Sequence, residues 1–334
     1  MNFRYVCRDP MKVIYTTCTY NHISRALSLG DSVDEYCPGS KFIIGLIDDA
    51  NPNTDLNLDT ELLQASELGI SFLQEMRNKY DILELNAALK PYFANHIFNN
   101  RPEVNELIYL DSDILLFDNL DVIYESLGAH SIILTPHSLS SVKRGFSFDD
   151  RNFLRSGIYN IGFYAVKRDS NGLAFLAWWM DKLRDEGFID SKRGMFAEQL
   201  WLNLVPIYFE KVYIMRHIGC NVAYWNLHER KVFATEKGYL INGETPLIFY
   251  HFSGASITCL EDNNLSNHQN RYSFTNRPDV LPLFEKYVAS LKKHNFEQFS
   301  AYYSISAKLK TKSRILIFII ENAKKVVKRI LYQK

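Results

Sequence analysis

The chain has 334 residues, of which 47% are hydrophobic and 23% are charged, and its formal net charge is zero. This composition is typical of a globular protein that buries a substantial core without disulfides or a structural metal. The five cysteines are scattered, odd in number and lack a Cys-x-x-Cys spacing, which argues against a disulfide framework or a zinc ribbon. The N-terminal residues do not resemble a signal peptide, and no run of about 18 apolar residues is present. We therefore predict a cytoplasmic protein.

Short apolar runs rich in β-branched residues alternate with helix-like segments, which is the pattern of an α/β sheet. The runs predict strands at residues 13–17, 42–47, 107–110, 131–135, 162–166 and 247–250. Helices are predicted over residues 23–36, around Trp178-Trp179, and from about residue 279 to 306. Three strands end on a polar residue, namely Asp48, Asp111 and His251. Because ligands bind at the carboxyl ends of strands in open α/β sheets, these residues mark a candidate site.

The acidic pair Asp111 and Asp113 follows a buried strand and precedes the apolar run 114–117. Chance alone supplies about one Asp-x-Asp tripeptide in such a chain, so the pair gains weight only from this context. Two close carboxylates repel each other, and a hard divalent cation such as Mg²⁺ or Mn²⁺ relieves the repulsion. The alternative is a solvated turn, or a helix N-cap at Asp111.

His251 also lies at the end of a predicted strand, in Tyr-His-Phe-Ser-Gly. Imidazole is an acceptable ligand for Mn²⁺ and a poorer one for Mg²⁺. The small residues Ser253 and Gly254 that follow would let the backbone approach a phosphate closely. A buried histidine with a purely structural role is the alternative interpretation.

Four motifs occur in a recognisable order: Tyr-Leu-Asp-Ser-Asp at 109–113, Tyr-Asn-Ile-Gly-Phe at 159–163, Glu-Gln at 198–199 and His-Phe-Ser-Gly at 251–254. Together they resemble GT-A glycosyltransferases, in particular the retaining family-eight type and related bacterial cell-envelope enzymes. The likeness runs from about residue 13 to residue 272. It implies a Rossmann-like mixed sheet flanked by helices, and transfer of a sugar from a nucleotide-sugar donor, with UDP as the expected nucleotide.

The resemblance also implies roles for individual residues. Asp111, Asp113 and His251 match the ligands of a divalent metal, Mn²⁺ or Mg²⁺, on the donor diphosphate. Asn160 matches a residue that hydrogen-bonds the donor sugar, and Gln199 matches the residue beneath the anomeric carbon in retaining members. The remaining residues that it places around the nucleotide and its phosphates are Thr16, Thr17, Asn21, Asp48, Ser112 and Gly254. Among the matched motifs Glu198 is the only obvious base, which an inverting reaction would require.

The chain departs from the family pattern in two places. Glu198-Gln199-Leu200 stands where the family tends to have Asp-Gln-Asp, and Ala255-Ser256-Ile257 stands where it usually continues towards Lys-Pro-Trp. The lysine of that second motif normally contacts the diphosphate. We predict that Lys90 or Arg271 replaces it.

The segment 221–230 combines two aromatic residues, two amides, a histidine and an arginine. Sugar-binding sites use aromatic faces for C–H surfaces and amides for pairs of hydroxyls. We therefore predict that Tyr224, Trp225, Asn226 and His228 bind the acceptor sugar. A loop that is anchored by a buried Trp225 is the alternative.

The C-terminal tail is strongly basic. From Lys308 onward it has nine basic residues and one acid, so the body carries a net charge of −8, which does not favour a nucleic-acid partner. Helical spacing over residues 307–334 predicts a basic amphipathic helix that follows a GT-A domain of residues 1–306. Such a helix is suited to the anionic inner face of a membrane, and docking on the body or pairing in an oligomer is the alternative.

These features predict a peripheral membrane glycosyltransferase that uses a saccharide or lipid-linked saccharide acceptor in cell-envelope polysaccharide or lipopolysaccharide synthesis. A sugar nucleotidyltransferase is the second hypothesis, but it would carry a Gly-rich basic loop after the first strand, and residues 15–21 contain no glycine. The third is a non-catalytic carbohydrate- or membrane-binding module. The intact set of Asp111, Asp113 and His251 favours an enzyme.

Overall fold

The computed structural model of the protein describes residues 11–48, 60–145 and 148–302. The strands are β1 Met11–Cys18, β2 Lys41–Leu46, β3 Glu61–Gln64, β4 Val104–Leu110, β5 Ile114–Leu116, β6 Ile132–Pro136, β7 Tyr159–Lys167, β8 Ile189–Asp190, β9 Met195–Phe196, β10 Val212–Ile214, β11 Val232–Thr235, β12 Gly238–Ile241, β13 Thr245–Pro246 and β14 Phe249–His251. The α-helices are α1 Ile23–Tyr36, α2 Leu73–Lys79, α3 Ile82–Asn100, α4 Asp121–Ala129, α5 Asp150–Ser156, α6 Ser170–Glu186, α7 Val205–Tyr208, α8 Leu281–Lys293 and α9 Phe296–Ser300.

Seven strands form the central sheet in the order β10-β6-β7-β4-β1-β2-β3. Neighbouring strands are parallel except around β7, which runs antiparallel to both β4 and β6. Strand β1 is buried from Val13 to Cys18 because helices cover both faces of the sheet. Val13 and Tyr15 pack on the side of α3 and α6, whereas Ile14 packs on the side of α1 and α4. The predicted mixed α/β sheet with flanking helices is confirmed.

The helix predictions are confirmed at the start of the chain, and the structure divides the last of them in two. Helix α1 has the predicted bounds, and α6 buries Trp179 completely. The region predicted to be helical from about residue 279 contains two α-helices, which are separated at Asn295. Asn295 has a φ of 52°, a left-handed conformation that an α-helix cannot contain. Residues 303–306 and the predicted tail helix at 307–334 lie outside the described residues.

A small sheet outside the main one brings distant parts of the chain together. Strand β14 pairs antiparallel with β5, and the register sets His251 opposite Ile114. The pairing continues one residue further, where the Phe252 N–H donates to the Asp113 carbonyl at 2.8 Å. Helix α8 packs behind this pair in a third apolar core. Across the described ranges, none of the helices combines the length and apolarity needed to cross a bilayer.

Candidate functional site

The acidic pair lies at the carboxyl end of β4, near the middle of the central sheet. The Asp111 N–H donates to the Gly162 carbonyl on β7 at 2.8 Å, which holds the strand end in the sheet. The chain then turns through Ser112 and Asp113 before β5 begins at Ile114. Both carboxylates therefore emerge from one short turn at the edge where ligands bind in sheets of this kind.

The pairing of β5 with β14 brings His251 onto the acidic pair. Its Nε2 atom lies 3.0 Å from Asp113 Oδ1 and 3.9 Å from Asp111 Oδ2, and the histidine is buried. One ligand atom from each of these three residues lies within 4.8 Å of the others. We call Asp111, Asp113 and His251 the metal triad.

The donor set of the metal triad fits a divalent cation. Two carboxylate oxygens and one imidazole nitrogen suit Mn²⁺ better than Mg²⁺, which prefers oxygen ligands alone. Ligand atoms at about 2.0–2.6 Å from one ion are separated by no more than about 5 Å, which agrees with the 4.8 Å span. The structure therefore brings together the three residues that the sequence predicts as ligands.

A relay of hydrogen bonds sets the orientation of the His251 ring. Asn160 Oδ1 lies 3.3 Å from His251 Nδ1, so the proton belongs on Nδ1 and the lone pair of Nε2 faces the carboxylates. Asn160 Nδ2 lies 3.4 Å from His137 Nε2, and His137 Nδ1 lies 3.1 Å from the Ile158 carbonyl. With both imidazoles neutral, each contact in this relay joins one donor to one acceptor.

Burial keeps His137 in the neutral form that the relay requires. It lowers the pKa of His137 to about 4, and the nearby His251 acts in the same direction, against a hydrogen bond to Ile158. Gly162 completes the arrangement, since a Cβ atom there would lie 2.2 Å from His251 Cε1. The close approach of the histidine to β7 therefore depends on glycine at this position.

Lys90 lies beneath the other side of the metal triad. Its Nζ atom is 3.1 Å from Asp111 Oδ1 and donates to Glu198 Oε1 at 2.9 Å and to the Ile161 carbonyl at 3.0 Å. Burial alone would lower the pKa of Lys90, but the two carboxylates outweigh burial and raise it above its ordinary value. The ammonium group is thus charged, and its contacts lie within the protein. Lys90 as a diphosphate ligand stays a prediction.

Gln199 is fixed next to this network. Its Oε1 atom accepts from the Ile161 N–H at 3.3 Å, and its Nε2 atom donates to the Ser156 carbonyl at 2.8 Å. Gly157, which follows Ser156, has a φ of 118°, and a Cβ atom there would lie 3.0 Å from Gln199 Cγ. The side chain therefore has one defined position beside Asn160 and Glu198.

The residues predicted to hold the nucleotide follow β1 and β2. Thr16 is fully buried, and its hydroxyl has no hydrogen-bond partner within the described part of the chain. Thr17 contacts the hydroxyl of Tyr109 at 3.1 Å, and Tyr109 in turn donates to Asp111 Oδ1 at 2.5 Å. Asn21 accepts from the Thr19 hydroxyl at 2.5 Å. Asp48 follows β2 and is half-buried.

The segment predicted to bind the acceptor reaches the metal triad through one residue. The Trp225 ring meets His251 edge-to-face at 5.1 Å, and Tyr224 packs edge-to-face on Trp225 at 5.0 Å. Asn226 is fully buried and donates to the carbonyls of His137 and Asn221, so it cannot contact a sugar hydroxyl in this conformation. Asn226 as an acceptor-binding residue stays a prediction.

Three further predicted residues lie at the margins. His228 Nε2 lies 3.1 Å from the hydroxyl oxygen of Ser140. Gly254 has a φ of 70°, and a Cβ atom there would lie 2.5 Å from His268 Cδ2. The guanidinium of Arg271 lies 5.0 Å from the centre of the neighbouring Tyr272 ring. These contacts do not join any of the three directly to the metal triad.

The sequence interpretation missed Arg25, a cation in the first turn of α1. Its Nη1 atom lies 4.0 Å from Asp113 Oδ2 and donates to the Tyr287 hydroxyl at 3.2 Å. Its Nη2 atom donates to the carbonyl of Ala255, next to Gly254, at 3.2 Å. Burial raises the pKa of Asp113, but His251 and Arg25 outweigh it and hold that pKa below its ordinary value. The sequence signal that could have indicated Arg25 is its position, four residues after Asn21, a residue predicted to bind the nucleotide.

The chain is similar over most of its length to two proteins of Bacillus subtilis (strain 168), the uncharacterized proteins YfnF and YfnD. YfnF is 24% identical over 284 residues, which is 84% of this chain and 92% of that protein. YfnD is 24% identical over 292 residues, which is 86% of this chain and 91% of that protein. No protein-family model matches the chain.

Among solved structures, the galactosyltransferase LgtC in complex with donor and acceptor sugar analogues superposes with a TM-score of 0.51 at 12% sequence identity. The match covers 83% of this chain and 95% of that one. At this identity the likeness shows the fold. The protein has the GT-A glycosyltransferase fold, as its motifs imply.

Proposed function

We propose that the protein is a metal-dependent glycosyltransferase that moves a sugar from a nucleotide-sugar donor to a saccharide acceptor. One observation supports this proposal above the others, namely the convergence of Asp111, Asp113 and His251 at the carboxyl edge of a GT-A sheet. The sequence separates His251 from the acidic pair by more than 130 residues, and only the β5–β14 register brings them together.

The metal triad would hold the cation, which when bound supplies Lewis-acid stabilisation of the charge that develops on the departing diphosphate. Arg25 lies on the Asp113 side and adds a positive charge towards the same space. We propose Arg25 as the counterpart of the lysine that is missing after Gly254. Charge placed there in advance stabilises the leaving group without reorganisation during the reaction.

The transfer itself breaks the bond between the anomeric carbon and the diphosphate oxygen, and the electron pair leaves with the diphosphate. A new bond forms from the acceptor hydroxyl oxygen to the anomeric carbon. In an inverting reaction a carboxylate takes the acceptor proton. Glu198 is poorly placed for this, because it is buried and its Oε1 atom already accepts from Lys90. A retaining reaction, in which the departing phosphate oxygen receives the proton, is therefore favoured.

The remaining roles follow from position. We assign nucleotide binding to the residues near the ends of β1 and β2, which are Thr16, Thr17, Asn21 and Asp48. UDP is the expected nucleotide of the donor. Gln199 and Asn160 flank the space for the donor sugar. We assign the acceptor to Tyr224, Trp225 and His228, because Trp225 packs against His251 and Tyr224 packs against Trp225.

We further propose that the acceptor is a lipid-linked or free saccharide of the cell envelope, and that residues 307–334 attach the protein to the membrane. The basic residues of that segment support this assignment. Truncation after residue 306 should move the protein from a membrane pellet to the supernatant. A truncated protein that pellets with lipid as before would show that the tail is not the anchor.

Release of a nucleoside diphosphate from a panel of nucleotide sugars tests the proposed activity. The full chain with Mn²⁺ should release one nucleoside diphosphate, and EDTA or Asp113→Ala should abolish that release. Asp181→Ala is the matched control, because the Asp181 side chain is 72% exposed on α6. Turnover that chelator leaves unchanged would contradict the metal assignment. Binding of a nucleotide sugar without turnover would support a non-catalytic module instead.

A further inference from the structure

The two carboxylate oxygens of Asp111 have different surroundings. Oδ1 accepts a hydrogen bond from the Tyr109 hydroxyl at 2.5 Å and lies 3.1 Å from Lys90 Nζ. Oδ2 lies 3.9 Å from His251 Nε2, the proposed nitrogen ligand. Tyr109 and Lys90 are both buried, so water does not compete with them for Oδ1. These two donors satisfy the lone pairs of Oδ1, and Oδ2 is the oxygen that remains for a cation.

The hydroxyl of Tyr109 is itself fixed by a second hydrogen bond. Its single proton goes to Asp111, because a carboxylate can only accept. The contact with the Thr17 hydroxyl at 3.1 Å therefore has Thr17 as its donor. The register of the sheet sets this alignment, since Tyr15 pairs with Tyr109 and Thr17 follows on the same face of β1. The hydrogen bonds thus run in one direction, from Thr17 through Tyr109 to Asp111.

Packing around the Tyr109 ring holds the hydroxyl in place. The Tyr15 ring meets it edge-to-face at 5.0 Å, and the Tyr164 ring stacks on it at 5.4 Å. Lys90 Nζ lies 4.8 Å from the ring centre. All three tyrosines are fully buried in the core on the side of α3 and α6. The ring therefore has one defined position, and its hydroxyl meets Asp111 there.

We propose that Tyr109 is a positioning residue that limits Asp111 to one coordinating oxygen and thereby makes the metal triad favour Mn²⁺ over Ca²⁺. Ca²⁺ takes about six to eight oxygen ligands and often binds both oxygens of one carboxylate, whereas smaller divalent cations take about six ligands in octahedral geometry. Without the Tyr109 hydroxyl, Oδ1 would keep only Lys90, and its second lone pair would be open to a large cation. The inference rests on the metal binding of the proposed function, but not on sugar transfer.

Cation titrations of the full chain without a nucleotide sugar test the proposal. Electron paramagnetic resonance of free Mn²⁺ gives the Mn²⁺ affinity, and displacement of bound Mn²⁺ by Ca²⁺ gives the ratio of the two affinities. Tyr109→Phe should weaken Mn²⁺ binding by about tenfold, as expected when a group that supports a metal ligand is removed. Ca²⁺ binding should weaken less, so the ratio of Mn²⁺ to Ca²⁺ affinity should fall. Thr17→Val keeps the Tyr109 hydroxyl and should lower the same ratio by a smaller factor.

Tyr15→Phe is the matched control, because it also removes one hydroxyl from the same buried cluster. The Tyr15 hydroxyl donates to the Lys90 carbonyl at 3.0 Å and contacts the Tyr164 hydroxyl. Tyr15→Phe and Tyr109→Phe should therefore lose similar stability in chemical denaturation. The ratio of Mn²⁺ to Ca²⁺ affinity should stay at the wild-type value in Tyr15→Phe alone.

The outcomes separate this inference from the proposed function. An unchanged affinity ratio in Tyr109→Phe would overturn the role of Tyr109, as would an equal fall in Tyr15→Phe, and the metal triad would stand in both cases. A wild-type chain that binds no Mn²⁺ would overturn the metal-dependent function together with this inference. If Tyr109→Phe does not fold, the ratio in Thr17→Val decides, and an unchanged value there would refute the proposal.

Discussion

The two aspartates of the metal triad are held in different ways, although only one residue separates them in the chain. Asp111 is held by buried charge, since Lys90 lies 3.1 Å away and also bonds Glu198. Asp113 faces His251, whose orientation depends on neutral hydrogen bonds through Asn160 to His137. On the lysine side, the ion pairs of Lys90 anchor Asp111. On the histidine side, a relay of hydrogen bonds between neutral groups orients the His251 ring. One ligand set can thus be held on one side by a buried ion pair and on the other side by neutral hydrogen bonds.

Removing the anchor should have the largest effect. Lys90→Met leaves Glu198 and Asp111 without their shared cation, and we expect the free energy of unfolding to fall by about 3–5 kcal/mol. Chemical denaturation measures the change. Lys90→Met/Glu198→Gln should recover part of it, because the second substitution removes one unpaired charge. Lys237→Met, at an exposed position, should change stability by no more than about 0.5 kcal/mol. Equal stability of Lys90→Met and Lys237→Met would refute the anchor.

Protonating His137, at the far end of the relay, should have the second-largest effect on stability. The folded protein holds the pKa of His137 at about 4, against an ordinary 6.5, so it favours the neutral imidazole. Stability from this group is therefore complete above pH 6.5 and is lost as the pH falls from 6.5 towards 4. The loss is about 2 kcal/mol by pH 5. Denaturation at several pH values should show a smaller dependence in His137→Gln. The same pH dependence in both proteins would contradict the relay.

Cutting the middle of the relay should weaken metal binding. Asn160→Ala removes the acceptor of the His251 Nδ1 proton, and loss of such a supporting group lowers metal affinity by about 10–100-fold. Calorimetric titration with Mn²⁺ measures the affinity. Asn160→Asp keeps an oxygen acceptor and should lose less. An unchanged affinity in Asn160→Ala would show that His251 is oriented without Asn160.

Arg25 should show the smallest effect. Arg25→Gln keeps a donor for the Ala255 carbonyl but removes the charge near Asp113. We expect kcat to fall by about tenfold, the range for a single charged group that acts mainly on the transition state. KM and Mn²⁺ affinity should change less than kcat. An effect on KM alone would assign Arg25 to donor binding rather than to stabilisation of the leaving group.

The sequence predicts the sheet and the first helix because local patterns carry them. Apolar runs ending on Asp111 and His251 indicate strands and their polar ends, and the bounds of α1 are predicted without error. The break at Asn295 was missed, because a single left-handed residue leaves little trace in the hydrophobic pattern. The metal ligands came from motif order rather than from geometry.

The supporting residues were missed for a physical reason. The roles of Lys90 at the diphosphate and of Asn226 at the acceptor stay predictions, and the contacts of both side chains with partners far away in the sequence could not be predicted. His137 and Arg25 carry no motif at all. Their roles depend on the approach of α3, α1 and the chain around residue 137 to the sheet, which no local pattern encodes.

Anomalous diffraction from crystals grown with Mn²⁺ and a nucleoside diphosphate tests the metal triad. We expect one manganese peak bonded to Asp111, Asp113 and His251 Nε2, with the diphosphate completing its coordination. Manganese bound without His251, or coordinated through Nδ1, would contradict the metal triad and the relay that orients it.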